Sequence, residues 1–327
     1  MSALFRVTGL RKEFSLQRSF LDLLWAGGRR AVVHAVDDVD FDIQEGEVLG
    51  LAGESGSGKS TTGRLLLRLV DPTAGHIEYR GRDIAAIGRR ELEVLRQKLQ
   101  IVFQDPNSSL SPRMSVGQAI GHPLAIHRLG SLSERRERVL DLMERIGLTP
   151  ADFLYRKYPH QLSGGQCQRV VLARALITGP EFIVADEPIA MADVSVRAVI
   201  LEEMKRLKDE FRLTYLFITH DLATAKYLCD RIAIMYLGRI VELGSRDQLF
   251  ARPHHPYTRA LLEAVPVPDP AQRRTREVVR GEIPSAIQPP AGCHFHPRCP
   301  YAMPACRAAR PPLKEVAPGH ISACLLP

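Results

Sequence analysis

The sequence predicts an α/β fold, a largely parallel sheet covered by helices on both faces. Three observations predict it. Short apolar runs alternate with helix-patterned stretches along the first 265 residues. One such run, "EVLGLAG" (47–53), ends in a glycine-rich turn and leads directly into a helical pattern. The chain of 327 residues is 45% hydrophobic and 25% charged, as in ordinary globular proteins. That length allows one large domain with an appendage, or two domains.

Residues 1–14 and 31–43 alternate apolar and polar side chains, the pattern of half-buried strands. Between them "SLQRSFLDLLWAGGRR", with the chain's single Trp, reads as an inserted helical or loop segment. "EVLGLAG" is a buried strand, and "TTGRLLLRLV" has helical spacing. "LQIVFQ" (99–104) is a further strand, and residues 115–178 read as several short helices. "EFIVADEP" (181–188) and "LTYLFITHD" (213–221) are buried strands separated by a helix over 193–211. Near residue 265 the composition shifts. "VPVPDPAQRRTREVVRGEIPSAIQPPAG" is rich in Pro and Arg and aperiodic, which makes it a linker or irregular extension.

The net charge is +7, and from Pro266 onward eight Lys or Arg face four Asp or Glu. So modest an excess fits a solvated face or a bias toward anionic headgroups better than a nucleic-acid site. No run approaches the ~18 apolar residues of a membrane-spanning helix, and the N-terminus lacks the pattern of a signal peptide. The expectation is a cytosolic chain with reduced thiols.

"GESGSGKST" (53–61) fits G-x-x-x-x-G-K-[ST], with a strand before it and a helix after it. Gly53, Glu54, Ser55, Gly56, Ser57, Gly58, Lys59, Ser60 and Thr61 form the candidate phosphate loop. Its glycines let backbone N–H groups converge on phosphate oxygens, and the helix N-terminus points at the same anion. Lys59 is expected to reach the β- and γ-phosphates, and the Ser60 hydroxyl to ligate Mg²⁺. "FIVADE" supplies the matching apolar strand with its terminal carboxylates. Asp186 is expected in the Mg²⁺ shell, and Glu187 beside the attacking water.

"LSGGQCQR" (162–169) resembles the signature motif of ABC transporter ATPases. With the phosphate loop, Gln104 in "VFQDP", "FIVADEP" and His220 in "FITHD", the family's motifs stand in the family's order over the whole chain. The resemblance implies a nucleoside-triphosphatase fold of ABC type, a mixed sheet with an antiparallel β subdomain and a helical subdomain, plus a small irregular C-terminal extension. Residues 1–265 would form the ATPase domain, with the helical subdomain at about 105–178, and residues 266–327 the extension. It further implies that Gln104 touches Mg²⁺ and senses the γ-phosphate, that His220 contacts that phosphate, and that Phe14 stacks on adenine. Ser163, Gly164, Gly165 and Gln166 would complete the ATP site of an opposing subunit, so a homodimer or a sister ATPase is implied. Where the family continues T-S-A-L-D, this chain reads "IAMAD", keeping Asp193 but placing Ile189 and Ala190 where hydroxyls are usual.

The C-terminal stretches "HHPYTRALLEAVPVPDP" and "GCHFHPRCPYAMPACRAARPPLKEVAPGHISACLL" resemble the extension of oligopeptide and dipeptide import ATPases. Relatives of that branch also import nickel or oligosaccharides. The resemblance implies transmembrane permease subunits and an extracytoplasmic solute-binding protein as partners, no nucleic acid, and a peripheral place on the cytoplasmic face of the membrane. The competing readings are a soluble ABC-type ATPase acting on DNA or ribosomes, and a non-hydrolysing regulatory subunit. Cys293, Cys299, Cys306 and Cys324 lack the tight C-x₂₋₄-C pairs of structural zinc sites. Four thiolates suit a [4Fe–4S] cluster, as the branch implies. His294 and His296 keep zinc as an alternative, and a bystander role stays open. Cys167 and Cys229 read as packing residues.

Overall fold

The computed structural model describes residues 3–16, 31–190, 194–265 and 281–327. The Trp-bearing insertion, apart from its first two residues, the Pro/Arg-rich stretch 266–280 and Asp193 lie outside the described residues. In chain order the strands are β1 (Ala3–Ser15), β2 (Val32–Gln44), β3 (Val48–Ala52), β4 (Ala74–Tyr79), β5 (Arg82–Asp83), β6 (Leu99–Val102), β7 (Phe182–Asp186), β8 (Thr214–Thr219), β9 (Arg231–Tyr236), β10 (Arg239–Ser245), β11 (Lys314–Ala317) and β12 (His320–Ser322). Two units are distinguished: Met1–Gln44, Val48–Ala86 and Ile218–Pro327 form the first, and Glu45–Glu47 with Ile87–Phe217 form the second.

In the first unit, β2, β1, β4 and β5 form an antiparallel sheet in that order. Alternation along β1 buries Phe5, Val7 and Leu10 and turns Arg6 and Thr8 outward. A second set runs β11-β12-β10-β9-β3, with β3 parallel to β9 and β9 antiparallel to β10. Leu237 (φ 41°) and Gly238 (φ 79°) join β9 to β10. Two residues at positive φ give the turn whose twist matches a hairpin. In the second unit β8, β7 and β6 are neighbours, with β6 parallel to β7 and every residue of β7 buried. Its helices include Val116–Ile126, Leu132–Arg145, Gly164–Leu176 and Val194–Phe211. The first three start at Ser115, Ser131 and Ser163, each in a capping box with Gln or Glu three residues on.

The sheet is mixed, as the family resemblance implies, and the β9–β10 hairpin supplies antiparallel strands. Two features depart from the sequence reading. The extension is not wholly irregular, since β12 pairs with β10 through Glu242 opposite Ser322 and Leu243 opposite Ile321. The helix after the glycine loop runs over Lys59–Leu66 and ends short of the predicted stretch. Leu67 is buried but lies beyond the helix, and Arg68 takes φ 49° as the chain turns away. Apolar spacing there records burial, not helix.

Candidate nucleotide site and its C-terminal brace

The phosphate loop belongs to the first unit and follows the buried strand β3. A Cβ at Gly53 would collide with the Met235 carbonyl oxygen, and one at Gly58 with that of Ala35. Both residues also have positive φ, so only glycine fits. Gly58 begins the Lys59–Leu66 helix without a side-chain cap, so the helix N-terminus follows directly on the loop. Lys59 is buried, and its Nζ donates to the carbonyls of Gly53 and Glu54, both at 2.8 Å. The β9–β10 turn braces the loop, as Gly238 N–H donates to the Ser57 carbonyl at 2.9 Å. Phe14, on β1, is 40% exposed, with the Lys12 ammonium over its ring at 5.0 Å from the centroid. His220 is exposed just beyond β8. Asp221 next to it caps helix Leu222–Leu228 by accepting from Ala223 N–H at 2.9 Å.

The second unit carries Gln104, Asp186, Glu187 and the segment Ser163 to Gln166. Asp186 ends β7 and is buried. Glu187 follows with φ 47°, a left-handed conformation costly for a residue with a Cβ and characteristic of functional sites. Gln104 donates through Nε2 to the Glu187 carboxylate at 3.0 Å. On the next residue, the Pro188 carbonyl accepts from Gln168 Nε2 at 2.8 Å, which ties the "LSGGQCQR" helix to the carboxylate turn. Ser163 caps that helix by accepting from Gln166 N–H. A Cβ on Gly164 or Gly165 would meet nothing within 4 Å, so local packing does not require these glycines. Ile189 is buried, which accounts for an apolar residue where the family carries a hydroxyl.

Sequence reasoning missed how the C-terminal region grips the first unit. Phe295 is buried against Tyr236 and Tyr257, with ring centroids 5.3 Å away in both cases. Glu242, fully buried on β10, accepts from the His254 and His255 N–H groups at 2.7 and 2.9 Å and lies 2.7 Å from His320 Nε2. Arg298 pairs with Glu54 of the phosphate loop. The clue was available: "HHP" before a helical run is an N-terminal capping pattern, since Pro favours the first helical position.

His255 caps helix Pro256–Glu263, and its Nδ1 accepts from Tyr257 N–H at 3.1 Å, so that nitrogen must stay unprotonated. Burial, assisted by the cations of His254 and Arg259, pushes its pKa down to about 3. Glu242 faces its backbone N–H, and the tail thiols share its cavity. In the unfolded chain its pKa returns to about 6.5, so the unfolded state takes up the proton first. This stability term is complete above that value and is lost as pH falls through 6.5 toward 3. Acidification from pH 7 to pH 5 is expected to cost about 2 kcal/mol through this residue. Thermal melts of His255→Asn, which keeps a capping acceptor, should show a smaller drop over that interval than the wild type.

The four tail cysteines line one small cavity with His255, Phe295 and His296. Its volume is about 20 Å³, room for roughly one water. A four-iron, four-sulfide cube does not fit in this space. Among the described residues no three His, Cys, Asp or Glu side chains are arranged to hold a metal ion. Burial, reinforced by the neighbouring thiols, pushes Cys293 up to about 11, and burial also raises Cys324. Both are therefore neutral thiols at pH 7. His294 Nδ1 is turned to the Leu237 carbonyl and His296 Nδ1 to that of Cys293. The expected [4Fe–4S] cluster and its zinc alternative are thus not supported. Cys167 and Cys229 are buried packing residues.

Two family descriptions match the chain: ABC transporter over residues 36–190, and oligopeptide/dipeptide transporter, C-terminal region, over 241–306. A putative peptide import ATP-binding protein of Brucella ovis is 50% identical over 297 residues, covering 91% of this chain and 93% of that protein. The putative oligopeptide transport ATP-binding protein YkfD of Bacillus subtilis is 49% identical over 314 residues, 95% of each chain. Among solved structures, the dimeric post-hydrolysis state of the ATP-binding cassette MJ0796 with ADP and Pi is 29% identical with TM-score 0.63, over 74% of this chain and 98% of that one. CbiO1 of Clostridium perfringens, part of the CbiONQ transporter complex, is 28% identical with TM-score 0.64, over 77% and 92%. With half its residues identical to such a relative across nine-tenths of its length, the chain belongs to the ATP-binding subunits of ABC transporters.

Proposed function

We propose that this chain is the ATP-hydrolysing subunit of a peptide importer, peripheral to the cytoplasmic face of the membrane. The observation that carries the reading is the glycine-dependent loop with Lys59 buried at its centre, in a chain whose relatives are named for peptide import. Lys59 and the loop N–H groups bind the triphosphate, and Phe14 supports adenine. Ser60, Gln104 and Asp186 are a hydroxyl, an amide and a carboxylate, the hard oxygen donors that Mg²⁺ prefers. When bound, Mg²⁺ neutralises phosphate charge. Glu187 takes the proton of the attacking water, Gln104 orients that carboxylate, and His220 contacts the γ-phosphate. Gly164 and Gly165, open to solvent on their Cβ side, let a phosphate of the opposing subunit's ATP approach the helix N-terminus behind Ser163. Asp193 serves communication between the two sites.

The second unit also carries an apolar groove of about 470 Å³ lined by Met114, Gly117, Ala125, Leu132, Val139 and Tyr155. Leu132 on its edge is 85% exposed. Such a groove, flanked by Arg113, Arg135 and Arg136, suits a short helix of a permease subunit. An extracytoplasmic binding protein would deliver the solute, and a second copy or a sister ATPase would complete the dimer. The test is uptake of a labelled oligopeptide in cells lacking this chain. Wild-type protein should restore it and the Glu187→Gln variant should not. Loss of nickel or oligosaccharide uptake instead would overturn the peptide assignment.

A further inference from the structure

Glu54 occupies a position that the phosphate-loop pattern leaves open, yet all of its polar groups are engaged within the first unit. Its N–H donates to the Tyr257 hydroxyl at 2.8 Å. Its carbonyl accepts from Lys59 Nζ at 2.8 Å and from Ser57 N–H at 3.2 Å. Its carboxylate takes both terminal nitrogens of Arg298, at 2.7 and 3.0 Å. Arg298 lies 244 residues further along the chain and is 9% exposed. The rings of Tyr236 and Phe295 flank its guanidinium at 5.8 and 5.9 Å. A bidentate pair of this kind fixes orientation as well as charge.

A carboxylate beside the first glycine of a loop that gathers phosphate oxygens opposes the ligand by Coulomb repulsion unless a cation is held against it. The same residue's carbonyl sets where the Lys59 ammonium rests. We propose that Arg298 is a positioning residue for nucleotide binding: it neutralises Glu54 and, through the Glu54 backbone, fixes the phosphate loop and Lys59. The C-terminal region thereby becomes part of the machinery that sets ATP affinity. The inference rests on the ATP-binding reading above, and it assigns a task to a region whose thiols have no metal-binding arrangement here.

The test is MgATP titration and steady-state ATPase measurement on the full-length chain. Arg298→Ala should weaken ATP binding about tenfold or more, because an unpaired, partly buried carboxylate then faces the phosphates. The loss should fall on KM more than on kcat, as expected for an interaction that serves binding. Arg298→Lys, which keeps the charge but not the fork, should lie between wild type and Arg298→Ala. Glu54→Gln combined with Arg298→Ala should recover much of the affinity by removing the stranded charge. A merely structural Arg298 predicts a double variant as weak as Arg298→Ala, with Tm lowered in step, and that result overturns the proposal. Wild-type affinity in Arg298→Ala also overturns it, while the ATP reading stands as long as Lys59→Ala fails to bind. A wild-type chain that binds no ATP overturns both.

Discussion

Lys59→Ala is expected to abolish ATP binding, with affinity falling by about two orders of magnitude or more. Two losses combine. The triphosphate loses the single ammonium at the centre of the loop, and charge-assisted contacts are the strong ones. The Gly53 carbonyl, held by Nζ at 2.8 Å, loses that donor, and the Glu54 carbonyl keeps Ser57 N–H but loses Nζ. A buried acceptor left unpaired costs about 1–3 kcal/mol, so the loop's shape suffers together with its charge. Titration with ATP against the wild type measures the effect. Unchanged affinity would remove the loop from the binding site.

Glu187→Gln should separate binding from chemistry. The amide keeps the shape and can still pair with Gln104, but it cannot accept a proton from water. Loss of a general base costs about 10²- to 10⁴-fold in rate, so turnover should fall into that range while ATP is still bound. A variant that binds without hydrolysing should accumulate as an ATP-dependent dimer, visible as a shift to larger size in gel filtration. Turnover at the wild-type rate would take Glu187 out of catalysis. The left-handed φ of this residue and its 3.0 Å contact with Gln104 indicate a side chain held in one place by its surroundings, as a base needs to be.

The residues proposed for nucleotide chemistry were readable because each lies within a contiguous stretch whose local conformation follows from its residue types. Gly53 and Gly58 are glycines because backbone carbonyls crowd them, and the strand–loop–helix order is visible in a few neighbouring residues. The four apolar residues before Asp186 read as a buried strand and form one. The antiparallel hairpin was overlooked although "RIAIMYLGRIVELG" carries its signals, an alternating pattern about a Leu-Gly turn. The tail misled in the opposite direction. Its cysteines do converge, but the aromatic and backbone packing around them leaves a cavity for about one water. Spacing cannot report that.

What the sequence alone determined is the identity of the local machines: a loop for phosphate, a carboxylate pair at a strand end, a capped signature helix, and an extension marked by histidine, proline and cysteine. Their chemistry resides in neighbours along the chain, where φ/ψ preference and residue type suffice. What only the tertiary structure decided is which distant groups complete them. Arg298 reaches Glu54 because β12 docks on β10 and Phe295 seats between Tyr236 and Tyr257. Hydrophobic burial of that aromatic cluster, which has no sequence period, carries the guanidinium to the loop. The pairing follows from packing between segments far apart in the chain.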